Sequence, residues 1–244
     1  MVIVLIITAV RVKSMDSHRI SGRILAENIA GPGMMRLVEQ SMQAQAQKTS
    51  VTEIAVKERK HPQAALTFDD GPDIRYTPLL LDGLKERNVR ASFFLLGEKV
   101  EQYPELVERM QKEGHLVGNH TYHHVQLDKL NETKAREEIL KTNNLIYETT
   151  GVYPLYLRPP FGAWKKNLEL CVEMLPVFWT IDTLDWKVKN TEKIVRTVKE
   201  QIEDGAIILM HDEYDTSVEA ALQVVDELKS QGYELVTVDQ LILP

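Results

Sequence analysis

Ala64-Ala65-Leu66-Thr67-Phe68 runs directly into Asp69-Asp70-Gly71-Pro72. The first five residues carry no charge and read as a short buried strand. The next four end it with two carboxylates and turn chemistry. The same order, an apolar run and then polar residues, returns downstream. Val89 to Leu96, His115 to Gly118, Leu155 to Arg158, Val177 to Ile181, Ala206 to Met210 and Glu234 to Val236 are further strand candidates. Helical spacing marks 76–88, 104–113, 131–150, 190–203 and 216–231, with Asn131 as N-cap and Gly151 as terminator of the third. Alternating strands and helices predict a mostly parallel α/β sheet. Seven strand candidates separated by helices predict a barrel rather than an open sheet, with its chemistry at the C-terminal strand ends.

Composition sets outer bounds. The chain has 244 residues, 43% apolar and 27% charged, enough for one substantial core. Net charge is −7, which argues against general affinity for nucleic acid or an anionic membrane surface. The single cysteine, Cys171, excludes an intramolecular disulfide and reads as a small core hydrophobe.

The N-terminal part has a different texture. Val2 to Val10 is unbroken apolar sequence followed by Arg11 and Lys13. It is too short to span a bilayer, which takes about 20 residues, and no basic stretch precedes it as in an export signal. A shortened membrane anchor, an atypical export signal and a buried strand are the three readings. Residues 11–61, with Gly31-Pro32-Gly33 and a Met/Gln-rich stretch, read as a tether or auxiliary segment, and a thin-faced helix is conceivable over 34–47. The expected organisation is therefore an apolar segment (1–10), a tether (11–61) and a catalytic domain (62–244).

The polar groups at successive strand ends carry the chemistry. Adjacent Asp69 and Asp70 point in different directions, so one can bind a metal while the other accepts a proton. His120 and His124 are four apart, so one helical turn would put both imidazoles on one face. Two imidazoles and a carboxylate make a three-ligand metal site with a position open for water. His123 lies between them and is expected to point elsewhere. Arg158 can pair with a strand-end carboxylate, and Pro159-Pro160 stiffens the loop into Phe161-Gly162. Asp182-Thr183-Leu184-Asp185-Trp186 sets a carboxylate beside an indole, which suits a sugar ring; Trp179 reads instead as outer packing of the barrel. His211, before Asp212, is a natural general acid. Each signal also has an ordinary structural reading, but together they fall at five successive strand ends.

As an ordered set, Thr67-Phe68-Asp69-Asp70-Gly71-Pro72, His120-Thr121-Tyr122-His123-His124, Arg158-Pro159-Pro160-Phe161-Gly162, Asp182-Thr183-Leu184-Asp185-Trp186 and Leu209-Met210-His211 resemble the five motifs of the polysaccharide deacetylases (carbohydrate esterase family 4, the NodB homology domain). Arg90-Ala91-Ser92-Phe93-Phe94-Leu95-Leu96-Gly97 and Glu113-Gly114-His115 extend the likeness, which runs from about residue 62 to the C-terminus. The resemblance implies a distorted (β/α) barrel and a set of roles. Asp70, His120 and His124 would hold a divalent metal, commonly Zn2+, with Co2+ or another divalent ion as alternatives. Asp69 would be the general base, Arg158 would orient Asp69 or a neighbouring carboxylate, and His211 would be the general acid. The Phe161 N–H would help hold the oxyanion. Asp185 would pair with Arg158 or tune His211. Pro160, Phe161 and Trp186 would contact substrate, and Leu209 would line the pocket for the acetyl methyl.

The expected reaction is hydrolysis of the acetamido group of an N-acetylglucosamine-type residue to acetate and free amine. Peptidoglycan is the first choice of polymer, with chitin oligomers or an exopolysaccharide next. A small-amide hydrolase on the same barrel and a non-catalytic wall-binding module are the competing classes. Intact Asp69 and the complete motifs favour the deacetylase. The apolar N-terminus and tether lead to an expectation of an extracytoplasmic protein, membrane-attached or secreted.

Overall fold

The structure is a computed structural model that describes residues 61–164 and 174–242. The expectations for residues 1–60 and for Cys171 lie outside them. Among the described residues no helix is long and apolar enough to cross a membrane.

The chain alternates as expected. In order come β1 (Gln63–Asp69), α1 (Tyr76–Glu86), β2 (Ser92–Leu95), α2 (Gly97–Gln102), α3 (Pro104–Lys112), β3 (Leu116–Asn119), α4 (Glu132–Thr150), β4 (Tyr156–Leu157), β5 (Leu175–Pro176), β6 (Ile181–Asp182), α5 (Asp185–Val188), α6 (Thr191–Gln201), β7 (Ala206–His211), α7 (Asp215–Ser230), β8 (Glu234–Leu235) and α8 (Val238–Ile242). All recorded strand pairings are parallel. Seven strands run β5-β4-β3-β2-β1-β7-β6, and β8 pairs the start of β1. The result is an α/β half-barrel, curled and open between β5 and β6.

That opening corrects one expectation. The single strand predicted over 177–181 is two strands, β5 and β6, joined by the bend Val177–Thr180. Pro176 has no N–H to extend the β5 ladder. The carbonyls of Val177 and Phe178 face the Arg158 guanidinium at 3.4 and 3.5 Å instead of another strand. A side chain has taken the place of a ladder.

Strand β1 is central and buried from Ala64 to Asp69, which explains its unbroken apolar run. Phe68 and Phe93 stack at 5.3 Å in the main core, with Leu66, Leu80, Leu84 and Val224 around them. Helix α4 starts and stops as read from the sequence. The Asn131 carbonyl oxygen of the side chain accepts from the Lys134 N–H at 2.9 Å, and Gly151 adopts φ 73° at its end.

His115, just before β3, serves this scaffold. Its Nδ1 accepts the Ala91 N–H at 3.0 Å, and its ring meets Phe93 edge-on. Burial first, outweighing the nearby Glu113 charge, pushes its pKa down from 6.5 to about 4. Between those values the unfolded chain binds the proton and the folded chain does not. The neutral ring therefore contributes stability in full above about pH 6.5, and that contribution is lost as pH falls toward about 4, about 3 kcal/mol in all. Urea midpoints of the parent and His115→Gln from pH 7.5 to 4 should converge as pH falls. A parent-to-variant gap that does not change with pH would remove His115 from this role.

Candidate active site

The strand ends converge on one opening of about 480 Å³ lined by Asp69, Asp70, His120, His124, Phe161, Trp179, Asp182, Trp186, Leu209, His211, Glu213 and Tyr214. Among the described residues seven non-glycine residues have positive φ, and five of them, Asp70, Thr121, His124, Phe161 and Leu184, lie in the strand-end motifs. Such conformations cost about 1–3 kcal/mol each and gather where geometry serves chemistry.

Asp69 closes β1 facing Arg158. The guanidinium is wholly buried, and its Nη1 donates to Asp69 Oδ1 at 2.8 Å and to Thr67 Oγ1 at 2.7 Å. Thr67 in turn donates to the Ile208 carbonyl on β7 at 2.7 Å. The Arg158 cation also lies 4.2 Å from the Phe94 ring centre. Burial pushes Arg158 down from its ordinary pKa, opposed by the Asp69 charge and hydrogen bond. Asp69 Oδ1 is thereby fixed.

Asp70 turns away from Asp69 through its left-handed backbone and meets the histidines. Its Oδ1 stands 3.4 Å from both His120 Nε2 and His124 Nε2. Those separations are long for hydrogen bonds, and this buried oxygen has no hydrogen-bond partner. Burial opposes the Asp70 charge, but the facing imidazoles, His120 foremost and then His124 and His211, hold the carboxyl well below the ordinary carboxylate range. The three ligand atoms lie within 4.8 Å of one another. His120 Nδ1 donates to the Arg158 carbonyl at 2.7 Å, which leaves Nε2 with its lone pair toward Asp70. Burial lowers the His124 pKa and favours the neutral, ligating ring. An ionised carboxylate with an orphaned oxygen beside two imidazole nitrogens fits a divalent cation.

The two histidines do not sit on a helical turn, as their spacing suggested. Residues 120–126 are irregular, with Thr121 at φ 66° and His124 at φ 55°. Side chains hold this turn. Asn119 Oδ1 accepts from the Thr121 N–H at 2.7 Å, and Glu138 Oε2 accepts from the Tyr122 and His123 N–H groups at 3.0 and 2.9 Å. His123 bonds Glu138 Oε1 at 2.7 Å and points away from the opening. Asn119, the last residue of β3, carries no ligating or titratable group to mark it, and Glu138 lies on α4, away from the strand ends where the chemistry is sought.

On the opposite wall, Asp185 pairs with His211 and not with Arg158. Its Oδ1 bonds His211 Nδ1 at 2.7 Å, and its Oδ2 accepts the His211 backbone N–H at 2.7 Å. His211 Nε2 is left facing the opening, 3.8 Å from Asp70 Oδ2. Burial disfavours the imidazolium, but the Asp185 hydrogen bond and the charges of Asp185, Asp69 and Asp70 outweigh it and raise the His211 pKa to about 9.

Leu209, Phe161 and Trp186 line the opening, the last two exposed. Pro160 is buried beneath the turn that presents Phe161 and is not among the lining residues. Trp179, read as outer packing, lines the opening instead. It lies in the bend Val177–Thr180, with the Arg158 guanidinium 5.7 Å from its ring centre. Asp182, Glu213 and Tyr214 are further lining residues that the sequence reading had not assigned.

With this geometry in place, comparison with known proteins is informative. The profile of the polysaccharide deacetylase family matches residues 56–178. The chain is 43% identical over 185 residues to the peptidoglycan-N-acetylglucosamine deacetylase PgdA of Listeria monocytogenes, covering 76% of this chain and 40% of that protein. It is 40% identical over 186 residues to a peptidoglycan-N-acetylglucosamine deacetylase of Bacillus cereus, covering 73% of this chain and 68% of that one. The solved structure of the peptidoglycan deacetylase PdaC from Bacillus subtilis superposes with a TM-score of 0.73 at 42% identity, covering 75% of this chain and 91% of that chain. The chain thus spans well under half the length of the Listeria relative and about two thirds of the Bacillus cereus one. With the motifs, the curled parallel sheet and these matches in agreement, the chain belongs to the polysaccharide deacetylase family.

Proposed function

We propose that the protein hydrolyses the acetamido group of N-acetylglucosamine residues in peptidoglycan, releasing acetate and leaving a free amine. The observation that carries this reading is the meeting of a fixed carboxylate, an Asp-His-His cluster and a carboxylate-held imidazole around one opening. Relatives named as peptidoglycan-N-acetylglucosamine deacetylases support the choice of polymer. Peptidoglycan lies outside the cytoplasmic membrane, and the proposed location follows from it.

Asp70, His120 and His124 would hold the metal, and one carboxylate with two imidazoles suits Zn2+, with Co2+ as a substitute. A divalent cation there supplies Lewis-acid polarisation of the amide carbonyl and acidifies water. Asp69, with Oδ1 held by Arg158, takes the proton of the attacking water through Oδ2. The Phe161 N–H stabilises the developing oxyanion. His211, with Nδ1 held by Asp185, delivers a proton from Nε2 to the departing amine, which is otherwise a poor leaving group. Leu209 packs on the acetyl methyl, while Trp186 and Trp179 offer faces to the sugar rings.

The test is acetate release from peptidoglycan and from chitin oligomers, before and after chelation and with Zn2+ restored. Release from peptidoglycan, abolished by chelation and restored by Zn2+, is expected. Release from chitin oligomers alone would replace the polymer. No release from either, with metal bound, would overturn the proposed reaction.

A further inference from the structure

We propose that Asp212 and Thr77 act as a positioning pair that registers the Asp70 turn against the strand end carrying His211. The inference rests on the reading of Asp70, His120 and His124 as metal ligands, and it gives a task to a buried carboxylate that the chemistry above leaves unused.

Asp212 follows His211 directly and is wholly buried, as is Thr77 in the first turn of α1. The Thr77 hydroxyl donates to Asp212 Oδ2. The same oxygen of Thr77 accepts the Asp73 N–H at 2.8 Å, and the Thr77 N–H donates to the Asp73 carbonyl at 3.1 Å. Thr77 therefore closes the β1–α1 connection on itself and joins it to the end of β7.

The turn is pressed from two sides. A Cβ added at Gly71 would stand 2.4 Å from Asp212 Oδ1, so the carboxylate lies against the backbone immediately after Asp70. Only glycine permits that approach. From the other side, the Leu96 N–H donates to the Gly71 carbonyl at 3.2 Å. The next residue, Gly97, donates its N–H to the Thr121 carbonyl at 2.9 Å, in the turn between His120 and His124. The turns bearing all three ligands thus lean on one short stretch of backbone, and Asp212 supplies the opposing wall.

Stability alone is a poor reason for a carboxylate at this place. Asp212 Oδ1 is buried with no hydrogen-bond partner, and such a group costs folding free energy. Neither Asp212 nor Thr77 lines the opening. Their effect must pass through the turn, where Asp70 holds φ 70° and its carboxylate faces both histidines and His211.

The experiment compares the parent chain with Thr77→Val, Thr77→Ser and Asp212→Asn. Each is stripped of metal and titrated with Co2+, reading affinity and the visible spectrum; kcat and KM on acetylated polymer are measured with metal restored. Thr77→Val should weaken Co2+ binding and lower kcat by roughly 10–100-fold, the range for groups that orient metal ligands. KM should not change, and Thr77→Ser should restore both quantities. Asp212→Asn, whose amide oxygen can still accept from the Thr77 hydroxyl, should lose less than Thr77→Val, and the double variant should be no worse than Thr77→Val alone. If Asp212→Asn fails to fold, the Thr77→Val and Thr77→Ser pair decides. Folded variants with parental Co2+ affinity, spectrum and kcat, whatever their melting temperature, would overturn the proposal. A parent chain that binds no Co2+ would overturn the metal reading and this inference together. A parent that binds Co2+ but deacetylates nothing would overturn the proposed reaction, and the Co2+ titrations would still decide for or against the pair.

Discussion

Asp69→Asn is expected to lower turnover by about 10²–10⁴-fold, the range lost with a general base, while the chain still folds and still binds metal. The substitution is nearly isosteric. The amide oxygen can still accept from Arg158 Nη1, which now reaches Asp69 Oδ1 at 2.8 Å. The new NH2 group can accept no proton, so the loss falls on the chemical step. Asp70 and the histidines are untouched, so metal content should equal that of the parent. Arg158 loses its buried counter-charge but keeps a hydrogen bond, so stability should drop by less than the roughly 3–5 kcal/mol typical of a broken buried pair. Saturating-substrate rates of acetate release, with metal content and urea midpoints on the same preparations, separate these effects. Substantial activity in the metal-loaded variant would take Asp69 out of the role of base. Loss of metal with loss of activity would place it among the ligands.

Much of this site was legible because parallel α/β architecture puts chemistry at strand ends. The apolar run through Phe68 announced Asp69 and Asp70, and the run through Met210 announced His211. The pairing of Arg158 with a carboxylate followed from charge. Its complete burial did not, because that depends on Phe94, Thr67 and the carbonyls of the 177–178 bend arriving from three separate parts of the chain. Asp185 carried two partners on paper; only the register of β6 beside β7, with Asp182 opposite Leu209, brings it to His211. The spacing of His120 and His124 suggests a helical turn because neither threonine nor histidine is a residue from which a left-handed backbone is expected. Nothing in their identity signals it, and the side chains that enforce it, Asn119 and Glu138, act from β3 and α4. Trp179 was misplaced for a related reason. It lies in the bend between β5 and β6, and the run Val177 to Ile181 gives no sign of that bend.

Arg158→Met tests whether the buried ion pair is the keystone of that arrangement. Methionine follows the aliphatic stem of the arginine and ends about where Nε stands, so it leaves the guanidinium's place over Phe94 only partly filled. What it cannot supply is charge or donors. The Asp69 carboxylate, almost fully buried, would lose its cation, and Thr67 Oγ1 and the two bend carbonyls would lose their donor. Removing one member of a buried pair typically costs about 3–5 kcal/mol, and the urea midpoint at neutral pH should fall accordingly. Turnover should fall as well, since nothing then orients Asp69. The decisive comparison is the double variant with Asp69→Asn. If the cost of Arg158→Met is mainly the stranded carboxylate, neutralising that carboxylate should recover part of it. The double variant should then be more stable than the two single losses predict, by about 0.5–3 kcal/mol as for residues in direct contact. Strict additivity would mean that the cost comes from the carbonyls of Val177 and Phe178 and from packing over Phe94. In that case Arg158 would be chiefly the side chain that holds the β5–β6 bend open, and the orientation of Asp69 would need another source.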